Sequence, residues 1–248
     1  MNGITVDTFE AFESLTEITD FGGFALQTEA EIFNSAAFIR KYSTINCRSL
    51  IIRNPVPARL NRLILDSSFK LQTDYLESLE KELEKYSKVA VDKILLDFDL
   101  PTIIANEEKY PAFTQILSAI KGMTYAKDIG FELLFRLPFN GMEDFAAIAA
   151  FFRQQSMTNL NYALDLHIHE AHLDSGELAE LLLPVQYDIG TINFVYDAAL
   201  GNRINLHNLQ KITDLMSAKC LHCQYFLCPS GNVNLQSIHE DISEWMKI

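Results

Sequence analysis

The chain has 248 residues, 48% of them hydrophobic and 21% charged, which suits a globular protein with a sizeable core. Its formal net charge of −13 and pI of about 4.8 repel phosphate backbones and anionic lipid, so neither nucleic acid nor a membrane surface is an expected partner. No apolar run reaches the length of a membrane span. The opening MNGITVDTFEAFE places acids where a secretion signal needs a basic and then an apolar stretch, and a cytoplasmic location is expected.

Short strand-like runs recur along the chain, each followed by a longer helix-like segment. The first three are ITVDTF (4–9), GGFALQ (22–27) and SLIIRN (49–54), with Asp7, Gln27 and Arg53 near their ends. NPVPARLNRLILDSSFK (54–70) is the longest connection, expected as a loop of the kind that carries function. Residues 73–88 set Leu76, Leu79 and Leu83 on one face and charge on the other, which predicts a helix. KILLDF (93–98) reads as the fourth strand. Gly130 is placed to end the helix before the fifth, FELLFRL (131–137). A helix over 142–153 gathers Phe145, Ile148, Ala149 and Phe152. NYALDLHIH (161–169), TINFVYD (191–197) and QYFLC (224–228) complete the series. Eight alternating units in a chain of this length, with no linker or strong repeat, predict one (β/α)8 TIM barrel over residues 1–248.

Period-two alternation then decides which side chains face the barrel interior. The outward set is Ile94, Leu96 and Phe98, then Leu133, Phe135 and Leu137, then Leu164, Leu166 and Ile168, then Phe194 and Tyr196. The inward set is Leu95, Asp97 and Asp99; Leu134 and Arg136; Asp165, His167 and His169; and Asn193, Val195 and Asp197. Polar inward residues gather late in the strands, at the carboxyl end where this fold places its chemistry. Asp97, Asp99, Arg136, Asp165 and His167 are expected to share one cavity there. Structural ion pairs of Arg136 with Asp97 or Asp165 are the alternative use of the same groups.

Cys220, His222 and Cys223 in KCLHCQYFLC have ligand-like spacing. A tetrahedral zinc site needs a second pair, and none follows, so Cys47, Cys220, Cys223 and Cys228 read as reduced, incidental thiols. No glycine-rich phosphate loop and no Gly-x-Ser-x-Gly elbow is present. Asp165, His167 and His169, with Asp97 or Asp99, could supply metal-binding oxygen and nitrogen, but three neighbours on one strand face converge badly.

The runs ITVDTF, GFELLFRLP, NYALDLHIHEAHLDSGE and TINFVYDAAL resemble the first, fifth, sixth and seventh strands of the xylose-isomerase-like barrels. That superfamily contains sugar-phosphate isomerases and epimerases and the type-two AP endonucleases, and the resemblance spans nearly the whole chain. It implies a divalent metal held by Glu on the fifth strand, Asp on the sixth, His on the seventh and Glu on the eighth. Here Arg136 stands at the fifth-strand position and Phe194 at the seventh. Cys228 or a neighbour stands at the eighth, and only Asp165 remains. A guanidinium in place of a carboxylate puts fixed positive charge where a cation would bind, so the family metal is expected to be absent. Basic residues do not cluster with aromatics, which argues against the endonuclease activity.

Three functions fit this reading. The first is an isomerase or epimerase acting on a sugar or sugar phosphate. In it His167, Asp165 or Asp97 serves as general base and Arg136 holds an anionic oxygen. Asp99, Arg53, His169 and Asp197 would complete the contacts to a small polyhydroxylated ligand. The second is a non-catalytic barrel that keeps the pocket as a binding or accessory protein. The third is a structural subunit of a homo-oligomer. Fold alone does not choose among them.

Overall fold

Eight parallel strands hydrogen-bond side by side in chain order and close, the last onto the first. They are β1 Asn2–Val6, β2 Ala25–Glu29, β3 Ser49–Arg53, β4 Lys93–Leu96, β5 Glu132–Pro138, β6 Asn161–His167, β7 Ile189–Asp197 and β8 Gln224–Ser230. The structure is a computed structural model that describes residues 2–18, 25–57, 60–61, 69–89, 91–126, 132–138, 147–148, 150–151, 161–167, 189–197, 206–219, 223–230, 243 and 245. The described helices are α1 Phe9–Ile18, α2 Ala30–Phe33, α3 Ala36–Tyr42, α4 Phe69–Tyr86, α5 Leu100–Ile104, α6 Tyr110–Ala126 and α7 Leu206–Lys219. Among the described residues, no helix is long and apolar enough to cross a membrane.

The predicted strands recur in number and order, with shifted limits. β1 starts two residues earlier than ITVDTF, and β2 runs to Glu29, past the predicted end at Gln27. Helix α4 begins at Phe69, inside the stretch read as a loop, whose residues 58–59 and 62–68 lie outside the described set. So do the expected helix stop at 128–130 and most of the 142–153 helix.

Two separate apolar layers follow from the alternation. Ile94, Leu96, Phe135, Leu137, Leu164, Leu166 and Phe194 point outward and pack with helix residues such as Phe12, Phe38, Leu79 and Phe113. Ala25, Ile51, Leu95, Leu134, Ala163, Phe226 and Cys228 form a second cluster inside the barrel, with Val195 against it. Burying both faces explains why the strands are so rich in isoleucine, leucine and phenylalanine. At Gly3 the strands approach so closely that a Cβ would lie 2.5 Å from the Phe226 ring and 2.6 Å from the Ala25 carbonyl. Trp245 Nε1 donates to the Gly3 carbonyl at 3.2 Å and meets Phe194 edge-on, sealing the outside of the β7–β8–β1 seam.

Candidate functional site

The register sets the heights of the inward side chains. An eight-stranded barrel of this kind has a shear of about 8, so one level climbs by one residue at each strand step. From Thr5, the observed pairings place Arg53, Arg136 and Asn193 on the same level, from alternate strands. The same count across β8 returns to Thr5. The level above, towards the carboxyl ends, holds Glu29, Asp97, Asp165 and Cys228. The level below holds Gln27, Leu95, Ala163 and Phe226.

The polar contacts agree with this stacking. Arg136 Nε donates to Asp165 Oδ2 at 2.5 Å and Arg136 Nη1 to Asp97 Oδ2 at 2.9 Å. Asn193 Nδ2 donates to Asp165 Oδ1 at 2.7 Å, so both oxygens of Asp165 are taken. Burial works against the Arg136 charge, but Asp165 and then Asp97 outweigh it and hold the guanidinium above its ordinary range. Among the described residues Nη2 of Arg136 has no partner, and the side chain is 29% exposed. A second group lies on β1 to β3. Arg53 Nη1 is 3.4 Å from Asp7 Oδ1, and Arg53 Nε is 3.2 Å from Glu29 Oε1, an ion pair too bent to be a hydrogen bond. Asn54 adopts a left-handed backbone with φ of 49°, which asparagine tolerates well, and its Nδ2 donates to Glu29 Oε2 at 2.9 Å.

Cys228 stands between the two groups. Its thiol lies 2.8 Å from Thr5 Oγ1 in a buried hydrogen bond. Burial raises its pKa to about 12, Arg53 and the Thr5 bond oppose the rise, and Asp165 and Asp7 add to it. The thiol therefore stays protonated at neutral pH.

Asp97, Arg136 and Asp165 come together as expected from parity. Asp99 and His167 share no hydrogen bond or ion pair with them among the described residues. Asp99 follows β4 after the chain has left the sheet, and its Oδ1 caps α5 by accepting from the Thr102 amide at 3.3 Å. His167 ends β6, exposed, with no hydrogen bond or ion pair among the described residues. Arg53 lies at the mouth with Asp7 and Glu29 as partners. His169 lies outside the described residues, and Asp197 is described only as the last residue of β7. Glu29 lies two residues past the strand end expected at Gln27, and Asn193, inward by parity, gains its role only from the bond to Asp165.

The residues that the family metal would require are a poor match for a cation. Phe194 points outward among the helices, so the inward β7 group at this level is Asn193, an amide already bonded to Asp165. The β8 position holds a protonated thiol. The β5 position holds a guanidinium paired with Asp165, the one implied ligand that remains, and with Asp97. Of the cysteine-rich stretch, Cys223 packs in the outer layer and Cys228 faces inward, while residues 220 and 222 lie outside the described set.

Comparison with solved structures finds the same barrel in other proteins. A 3-keto-D-glucoside 4-epimerase from E. coli aligns with a TM-score of 0.69 at 11% identity, covering 100% of this chain and 99% of its own. A D-psicose 3-epimerase solved in the presence of D-fructose gives 0.66 at 16% identity, with 99% and 96% coverage. A xylose isomerase domain protein from Planctomyces limnophilus gives 0.61 at 10% identity, with 99% and 94% coverage. The chain thus shares the (β/α)8 TIM-barrel fold of these proteins. No protein-family model matches it, and no curated protein does.

Proposed function

We propose that the mouth of this barrel binds a small, uncharged, polyhydroxylated molecule without a metal ion, as a binding or accessory protein on a sugar-epimerase fold. The observation that carries the reading is Arg136, whose guanidinium bridges Asp97 and Asp165. A fixed cation there supplies positive charge in place of a bound one. The anionic group expected from the sequence fits less well. Asp7, Glu29, Asp97 and Asp165 oppose Arg53 and Arg136, a formal charge of −2 at the mouth. Carboxylates flanking donors suit hydroxyl groups, which donate and accept at once. Sugars are the substrates or ligands named for the structural neighbours, which supports the choice of a sugar-like ligand.

Binding without turnover is favoured because Asp165, the best-buried carboxylate among the described residues, is held by Arg136 on one oxygen and by Asn193 on the other, which stabilises its charged form against taking up a substrate proton. A second reading keeps catalysis. The exposed imidazole of His167 at the end of β6, without a partner among the described residues, is a candidate general base for an isomerase or epimerase. Thermal-shift titration of chelator-dialysed protein with neutral ketoses, aldoses and alditols, beside sugar acids and phosphate esters, tests the binding reading. Stabilisation by neutral members is expected; stabilisation by phosphate esters alone would defeat it. Proton exchange at the carbon next to a ketose carbonyl in D2O, lost in His167→Asn, would establish the catalytic reading instead.

A further inference from the structure

Four consecutive strands of the closed sheet, β7, β8, β1 and β2, carry a neutral wall that runs from the level of the mouth carboxylates downward. Its groups are Asn193, Cys228, Thr5 and Gln27, which are 3%, 6%, 2% and 0% exposed. Thr5 and Cys228 bond to each other. Among the described residues, neither Nε2 nor Oε1 of Gln27 has a hydrogen-bond partner, and Oδ1 of Asn193 has none.

Gln27 is anomalous for its level. The other inward groups there, Leu95, Ala163 and Phe226, are apolar and belong to the interior cluster. Ala163 on β6 stands across the barrel from β2, so the amide faces the smallest side chain of the layer. A fully buried carboxamide without partners costs stability, because it gave up water and gained nothing. An apolar side chain of similar length would complete the layer. A local rule broken in this way commonly marks a functional position.

The structure assigns recognition of ligand hydroxyls to this wall, with Gln27 as the specificity-determining residue. The assignment rests on the binding reading above and adds to it which groups read the ligand. One carboxamide presents two donors and an acceptor. It can therefore donate to one hydroxyl of a vicinal pair and accept from the next, while Asn193 Oδ1 accepts from a third. Access runs past Arg53, one residue higher on the adjacent strand. Its contacts to Glu29 and Asp7, at 3.2 and 3.4 Å, are longer than those of Arg136, at 2.5 and 2.9 Å. Asp7, its outer partner, is half exposed, so Arg53 can swing outward and remain paired.

The test compares wild type with Gln27→Met, which keeps length and volume, and with Gln27→Leu as a second variant. Melting temperatures are read without ligand and in concentration series of D-fructose, D-tagatose, D-glucose and sorbitol. The expected result is a ligand-free melting temperature at or above that of wild type, with the apparent Kd for the bound sugar raised about tenfold or more. Both variants melting well below wild type would mean that the amide is bonded within the fold, and would overturn the assignment. Wild type and variants binding with equal affinity would overturn the assignment and leave the binding reading intact. Wild type binding none of the four would overturn both.

Discussion

Replacing Arg136 by methionine removes the cation between two carboxylates and keeps most of the apolar stem. Breaking a buried ion pair by deleting one partner typically costs about 3–5 kcal/mol, since the remaining charge is left uncompensated. Here the cost divides unevenly. Asp165, with its side chain 4% exposed, keeps only the Asn193 bond, whereas Asp97, at 33%, recovers some hydration from the mouth. The low end, about 3 kcal/mol, is expected. For a domain of this size each kcal/mol moves the melting temperature by about 2–4 °C, so Arg136→Met should melt about 6–12 °C below wild type. Thermal unfolding followed by circular dichroism at neutral pH measures it. Adding Asp165→Asn should recover part of the loss, because the double variant no longer buries a lone charge. A single variant that melts within about 2 °C of wild type, less than 1 kcal/mol, would refute the reasoning. So would a double variant that melts lower than the single by the full cost of Asp165→Asn alone.

Gly3→Ala should destabilise the barrel by about 1–3 kcal/mol at least, because the new methyl meets the Ala25 backbone carbonyl as well as the Phe226 ring, and a urea midpoint reads this directly. At alkaline pH, burial holds the Cys228 thiol up at about 12 against an ordinary 9.0, and holds the Tyr75 hydroxyl above its ordinary 10.0. The unfolded chain then releases these protons first. Stability complete below pH 9 is lost as the pH climbs towards 12, by up to about 1.4 kcal/mol per pH unit for each group. Cys228→Ser, which does not titrate there, should fall less steeply above pH 9; an unchanged slope would count against the buried thiol. Elemental analysis of protein purified and dialysed without chelator should find manganese, zinc and magnesium well below one equivalent, whereas retention of one equivalent would contradict the assignment of Arg136 as the resident cation.

Alternation in KILLDF and FELLFRL is enough to send Leu95 and Leu134 inward and Ile94 and Phe135 outward, because a strand buried on both faces has no other way to place them. The pairing of Arg136 with Asp97 and Asp165 follows from the same parity once the strands are neighbours. The bond from Asn193 to Asp165 is different. It depends on the β6–β7 register and on strand tilt, which no single strand's pattern contains. Asp99 shows parity applied past its range: the strand ends at Leu96, and Asp99 with Pro101 opens a helix. Reading DLPT as a helix cap would have removed Asp99 from the cavity. Glu29 escapes the pattern because Gln27, polar like a strand end, is an inward residue in the middle of β2.

Isothermal titration of the neutral ketoses D-fructose and D-tagatose, and of sorbitol, into chelator-dialysed protein tests the central claim most directly. Saturable binding of at least one of them, unchanged when manganese is added and weakened in Arg136→Met, is the predicted result. Binding that appears only after manganese is added would contradict a mouth whose cation is Arg136.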